Sequence, residues 1–153
     1  MSDFVQVSLA HKSDLRAIDA LEQSCFHGHS YPDFFFRQAL DCWPNGFWVA
    51  KDNQGNIVGY LLASTSDKPN VCWLLSVAVA DIARGKGVGS KLISQLINAL
   101  ASDINQINLT VAPDNPAKAL YLRSGFTEQG FETDYFGEGE PRLLMSYFRA
   151  EHT

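Results

Sequence analysis

The sequence predicts a mixed α/β sheet with crossover helices, and three features carry that expectation. Val71 to Val79 is a nearly continuous apolar run of strand length, the pattern of a central strand buried on both faces. It leads through a glycine-rich turn into Val88, Leu92, Ile93, Leu96, Ile97 and Leu100, whose spacing forms one stripe of a helix. Around this unit the remaining apolar segments switch between strand and helix periodicity in the order β-α-α-β-β-β-α-β-α-β-β.

Each element has its own signal. Phe4, Val5, Val7 and Leu9 read as a first strand. Ser13 and Asp14 supply capping oxygens before Leu15, Ile18, Leu21 and Glu22 at helical spacing. Cys25 to Tyr31 reads as a loop, and Pro32 fits the first turn of a second helix through Phe35, Phe36, Ala39 and Leu40. Phe47 to Lys51 and Ile57 to Ser66 are strands joined by the turn formers Asp52-Asn53-Gln54-Gly55. Asn105 to Ala112 is a further strand, and Asp114 or Asn115 caps a short helix that stops at Gly125. Two last strands, about Thr127 to Tyr135 and Arg142 to Phe148, flank Gly137-Glu138-Gly139-Glu140.

A chain of 153 residues with 46% hydrophobic content suits one domain spanning 1–153. Only 19% of residues are charged and the net charge is -5, with no basic stripe, so nucleic acid is not an expected partner. No secretory signal is visible, and the longest apolar stretch is far too short for a bilayer, so a soluble cytoplasmic protein without a membrane partner is expected. Cys25, Cys42 and Cys72 fit neither a disulfide framework nor a paired-cysteine zinc site, and read as reduced core thiols. Cys25 stands near His27 and His29, but no second ligand pair follows downstream, so no metal is expected.

The chemistry concentrates at Arg84-Gly85-Lys86-Gly87-Val88-Gly89. A buried strand entering this loop and then a helix gathers free backbone N–H groups and a helix dipole at one point, which is an anion site. The three glycines let backbone approach a diphosphate closely, and Arg84 and Lys86 can add positive charge at its rim. Purely conformational glycines are the competing reading. A P-loop would end in Gly-Lys-Ser/Thr where this chain has Gly89-Ser90-Lys91, and the dinucleotide fingerprint needs a glycine where Ser90 stands.

The same six residues resemble the motif Gln/Arg-x-x-Gly-x-Gly/Ala of the GNAT acetyltransferase superfamily. Asp114-Asn115-Pro116-Ala117-Lys118-Ala119-Leu120-Tyr121 with Ser124-Gly125-Phe126 is similar to that family's Asn-x-x-Ala-x-x-Leu-Tyr-x-x-x-Gly-Phe. The resemblance implies a GNAT-type, mostly antiparallel sheet with one splayed parallel strand pair and about four helices. It implies an acyltransferase that takes acetyl-CoA as co-substrate, the amine attacking the thioester directly. Backbone groups of Val77, Ala78 and Val79 would pair with the pantetheine arm and polarise the thioester. Arg84, Gly85, Lys86, Gly87, Val88, Gly89 and Ser90 would hold the pyrophosphate. Asn115 and Ala117 would contact CoA, although Asp114 or Asn115 takes the Asn position depending on the direction of counting. Tyr121 would protonate the departing thiolate, against the alternative of an aromatic packed on its helix.

Members resembling ribosomal-protein-alanine acetyltransferases carry a glutamate on the fifth strand, where this chain has Leu109 or Thr110. The base is left among Glu22, His27, His29, Glu132, Asp134 and ordered water. Phe26 to Pro32, with Tyr31, resembles the peptide-lining loop of protein N-terminal acetyltransferases, and Tyr135-Phe136 the aromatic pair on the opposite wall; ordinary aromatic packing explains both equally well. A peptide N-terminus leads as acceptor. A polyamine, amino acid or aminoglycoside is the alternative, and a noncatalytic acyl-CoA sensor a further one. Oligomeric state is open.

Overall fold

Asp52 closes the first hairpin with its own side chain: Oδ1 accepts the backbone N–H groups of Gln54 and Asn56, each at 2.9 Å. The Asn56 hydrogen bond is the main cause that lowers the Asp52 pKa, and Gly55 takes the positive φ of +83° that the turn demands. This hairpin belongs to a computed structural model that describes residues 5–26 and 30–149. The elements are β1 (Gln6–Leu9), α1 (Leu15–Cys25), α2 (Asp33–Cys42), β2 (Phe47–Lys51), β3 (Ile57–Thr65), β4 (Val71–Val79), α3 (Val88–Ala99), β5 (Gln106–Val111), α4 (Ala117–Arg123), β6 (Thr127–Glu132) and β7 (Arg142–Phe148). They follow the expected order. The chain divides into two units, Met1–Ala63 with Ser76–Ala99 and Ser64–Leu75 with Leu100–Thr153.

The first unit carries the strand order β1-β2-β3-β4. β1 and β2 pair antiparallel from Gln6↔Lys51 to Leu9↔Trp48, and β2 and β3 from Phe47↔Leu62 onward. Its core is aromatic at the centre. Phe36 of α2 meets Tyr60 of β3 edge-on at 5.5 Å and 85°, and Phe47 of β2 lies 6.2 Å from each. All three are fully buried, a burial that stabilises by roughly 1.5–3 kcal/mol for a side chain of Phe size. Gly59 of β3 sets how closely α3 approaches. A Cβ there would stand 2.9 Å from Val88 Cγ1 and 3.2 Å from Leu92 Cδ1, so the absence of a side chain lets the start of α3 lie on the strand.

The second unit carries β4-β5-β7-β6, which brings the strands to seven. β4 and β5 are the parallel pair, and their ladder holds only Val71↔Gln106, Cys72↔Ile107 and Trp73↔Asn108, as a splayed pair requires. β5 pairs antiparallel with β7 along its whole length, from Gln106↔Phe148 to Val111↔Leu143. β6 pairs with β7 across a bulge between Glu128 and Gly130. α4 ends as Gly125 reaches φ +101°, and the chain returns so that Phe126 N–H donates to Tyr121 O at 3.0 Å. Ile107, Leu109, Phe126, Leu143 and Met145 form the core.

Several expectations are corrected. Val5 is buried but precedes β1, and Phe4 lies outside the described residues. Pro32 stands at the N-cap of α2 instead of inside its first turn. β6 stops at Glu132, because residues beyond it turn through Asp134 and Gly137. β4 is not buried on both faces: Trp73, Leu75, Ser76, Val77 and Val79 are half-exposed. Cys72 alone is a core thiol, whose pKa burial pushes up to about 11; Cys25 is half-buried, and Cys42, at the end of α2, is exposed. Among the described residues no helix is long and apolar enough to cross a membrane.

Candidate functional site

The glycine-rich loop is open at both of its left-handed glycines. Gly85 and Gly87 occupy the left-handed region at φ +79° and +78°, and among the described residues, the glycine and its chain neighbours aside, nothing lies within 4 Å of the point where either would carry a Cβ. The first hydrogen bond of α3 joins Lys91 N–H to Gly87 O at 3.0 Å. The N–H groups of Val88, Gly89 and Ser90 therefore precede the helix's own bonding and lie at the positive end of a helix of 12 residues. Backbone donors beside two bare glycines suit a diphosphate, whose oxygens need close, unobstructed N–H groups. Lys86 is exposed on this loop, while Lys91 Nζ donates to Val5 O at 2.6 Å.

Arg84 has a different place from the rim position expected of it. Its guanidinium turns back onto the strand it follows: Nε donates to Val79 O at 3.2 Å, Nη1 pairs with Asp81 Oδ1 at 2.8 Å, and Nη2 reaches Cys25 Sγ at 3.8 Å. The Cys25 thiol also donates to Val79 O at 3.6 Å. Arg84 thus ties the end of α1 to the end of β4, and its charge is shared with Asp81.

The backbone of β4 is divided between its two edges. Ala80 N–H donates to Val58 O of β3 at 2.8 Å. Because successive residues of a strand present their backbone groups to opposite edges, Ala78 faces β3 as Ala80 does, and Val77 and Val79 face the other edge. Ala78, expected to share the pairing with a pantetheine arm, is directed to β3. With Val79 O engaged by Arg84 and Cys25, the groups of the outer edge here that have no hydrogen-bond partner among the described residues are both groups of Val77 and the N–H of Val79.

In the second unit Tyr121 lies on α4 with its ring edge-on to Phe126 at 5.9 Å. It is 8% exposed, and desolvation pushes its pKa up to about 12, so the phenol keeps its proton throughout the neutral range. Asn115 caps α4: its Oδ1 accepts Ala117 N–H at 2.9 Å. That bond occupies the Ala117 amide and leaves the Asn115 NH₂ as its group for a ligand, while Asp114 is exposed.

The base candidates separate sharply. Glu132 and Asp134 are exposed, and Asp134 Oδ1 accepts Gly139 N–H in a turn. His27 and His29 lie outside the described residues. On β5 Leu109 is buried and Thr110 half-buried, with no carboxylate at either place. Glu22 is 1% exposed. Its Oε1 accepts the Tyr60 hydroxyl at 2.5 Å and its Oε2 the Tyr31 N–H at 2.8 Å. Desolvation outweighs both bonds and raises its pKa. Tyr60 and Ser76, 2.8 Å apart through their oxygens, did not emerge from the sequence, since a tyrosine and a serine inside strand patterns carry no local sign of a network. Tyr31 stacks on Phe35 at 4.4 Å, and Tyr135 meets Phe136 edge-on at 4.8 Å.

The profile of the Acetyltransferase (GNAT) family matches residues 15–126. An N-alpha-acetyltransferase of Sulfolobus acidocaldarius is 29% identical, covering 92% of this chain and 90% of its own length. An uncharacterised N-acetyltransferase of Methanocaldococcus jannaschii is 31% identical over 86% of this chain and 84% of its own. Among solved structures, Chaetomium thermophilum Naa20 in complex with a bisubstrate analogue superposes with a TM-score of 0.82 at 26% identity, covering 95% of this chain and 87% of that one. Those matches and the loop that opens α3 lead to one conclusion: this chain belongs to the GNAT acetyltransferase family.

Proposed function

We propose that this protein transfers the acetyl group of acetyl-CoA to the α-amino group of a protein or peptide N-terminus. The observation that carries the reading is the open space at Gly85 and Gly87 beside the amides of Val88, Gly89 and Ser90, which have no backbone partner among the described residues. Two relatives support the acceptor class: the Sulfolobus acidocaldarius protein is named an N-alpha-acetyltransferase, and Naa20 was solved with a bisubstrate analogue. The family profile runs through both units, which supports reading the chain as one catalytic domain. Three free cysteines suit a reducing compartment such as the cytoplasm.

In this reading the loop amides neutralise the diphosphate, and Val77 and Val79 on β4 present fixed dipoles to the acyl arm. Fixed dipoles aimed at developing charge are worth more than mobile ones because they need no reorganisation. Tyr121 supplies the proton that the departing thiolate takes; its raised pKa keeps that proton in place until a strong base appears beside it. The likeness to N-terminal acetyltransferases favours a role in acceptor contact for Tyr31 and, separately, for Tyr135. Acetyl-CoA-dependent thiol release, run with N-terminal peptides, polyamines, amino acids and aminoglycosides, tests the proposal. Release with peptides alone is expected; release with small amines alone would reassign the acceptor, and binding without release would make the protein a sensor.

A further inference from the structure

The first unit contains an unbroken file of oxygen groups that begins on β4 and ends on a buried carboxylate. Ser76, immediately before Val77, is half-exposed. Its Oγ lies 2.8 Å from Tyr60 Oη, and Tyr60 Oη lies 2.5 Å from Glu22 Oε1. Tyr60 and Glu22 are 0% and 1% exposed, so Ser76 is the member of the file that reaches solvent. A phenol has one proton and Glu22 is a pure acceptor when ionised, so Tyr60 donates to Glu22 and the Ser76 hydroxyl donates to Tyr60. Every proton in the file points inward.

We propose that Ser76, Tyr60 and Glu22 form a proton relay that takes the proton of the incoming ammonium group, with Glu22 as the acceptor at its end. The inference rests on the acetyltransfer reading and supplies the base that β5 lacks. The step balances without a co-reactant. The ammonium N–H passes its proton to Ser76 Oγ, the Ser76 proton moves to Tyr60 Oη, and the Tyr60 proton moves to Glu22 Oε1. An ammonium and a carboxylate become a neutral amine and a carboxylic acid, and the amine lone pair is free to attack the thioester. The proton returns by the same hydroxyls once product leaves.

A structural clasp would need less. Glu22 Oε2 alone holds the Tyr31 N–H, and a glutamine could keep that bond while its NH₂ donated to a reversed Tyr60. What the carboxylate adds is the capacity to take a proton. The groups acting on it from the elements around it are Tyr60 of β3, the Tyr31 backbone before α2 and Asp19 one turn earlier on α1; Tyr60 and Tyr31 stabilise the anion, while Asp19 and desolvation favour the proton. Desolvation strengthens the hold of Glu22 on a proton while the two donors oppose it, and a carboxylate with a raised pKa is a better proton acceptor than an ordinary one.

The test compares wild type with Ser76→Ala, Tyr60→Phe and Glu22→Gln, measuring kcat/KM against pH with an N-terminal peptide and acetyl-CoA, beside thermal melts. Ser76→Ala is decisive because it leaves both bonds of Glu22 in place. The relay predicts a loss of about 10²-fold at neutral pH in each variant. It also predicts that variant activity climbs with unit slope toward the acceptor's own amine pKa of roughly 7.7–8.0, since solvent must then remove the proton. Variants that keep the wild-type rate and profile, or fall by one factor at every pH, would overturn the relay alone. A wild type without turnover on any peptide would overturn the acetyltransfer reading and the relay with it.

Discussion

The rings of Tyr121 and Phe126 meet at 5.9 Å and 60°, and the same two residues are joined through the backbone by the Phe126 N–H on Tyr121 O at 3.0 Å. The ring is held by packing and the backbone by its own bond, so the hydroxyl can be removed without disturbing either. Tyr121→Phe keeps the packing and is expected to fold and bind acetyl-CoA normally while kcat falls about 10²-fold. Steady-state kinetics and calorimetry separate the two effects; a variant with unchanged kcat would remove Tyr121 from the mechanism.

Burial raises the Tyr121 pKa to about 12, and an acid works only while protonated. Loss of activity through Tyr121 ionisation is therefore expected only as pH approaches about 12, well above the ordinary value of 10.0. A Tyr-dependent alkaline limb near the ordinary value, absent in Tyr121→Phe, would contradict this environment.

Gly87→Glu places a negative side chain at a bare, left-handed position beside the α3 amides. Like charge against a diphosphate and the strain of a side chain at φ +78°, about 1–2 kcal/mol, act together. Titration calorimetry should show acetyl-CoA binding abolished, with the melting temperature lowered by only about 2–8 °C, as strain of this size implies. Binding that survives would remove the loop from the site.

Gly59→Ala tests how β3 positions α3. The new Cβ meets Val88 Cγ1 at 2.9 Å and Ala78 O at 3.3 Å, one of them backbone. Overpacking of this kind costs about 1–3 kcal/mol, and the first turn of α3 must move. Lower stability in denaturant and a higher KM for acetyl-CoA are expected together; a stability loss at constant KM would show that the loop is insensitive to its support.

Glu22 gives a stability signature. Its pKa is raised above the ordinary 4.5, chiefly by desolvation, so the folded state holds the proton more tightly than the unfolded chain. The contribution is fully present below pH 4.5 and is lost as pH rises through the raised folded value. Glu22→Gln has no such proton to lose. Urea unfolding across this range should show a decline in wild type that the variant lacks, and parallel curves would refute it.

What could be read in advance was local. The β4 run, the α3 stripe and the turn glycines each announce themselves within a dozen residues, because periodicity and backbone conformation are local properties. The relay partners are not local: Glu22 and Tyr60 are 38 positions apart, and Tyr60 and Ser76 are 16. Glu22 shares the apolar spacing of α1 with Ile18 and Leu21, so its burial was legible and its partners were not. Arg84 misled for another reason. A cation in a phosphate motif invites a ligand role, while its direction depends on Asp81, Val79 and Cys25, and only the fold brings the last of these near.

The clasp on Val79 O has a consequence for what can lie along β4. A flexible guest that pairs with a strand can normally slide by one repeat, two residues or about 7 Å, and find equivalent partners. Here the next carbonyl on the outer edge after Val77 is already satisfied, so a guest moved one repeat toward the loop would lose an acceptor and gain none. If acetyl-CoA pairs with β4 as proposed, the strand thereby resists a shift of its reactive carbon toward the loop by the count of partners rather than by a wall.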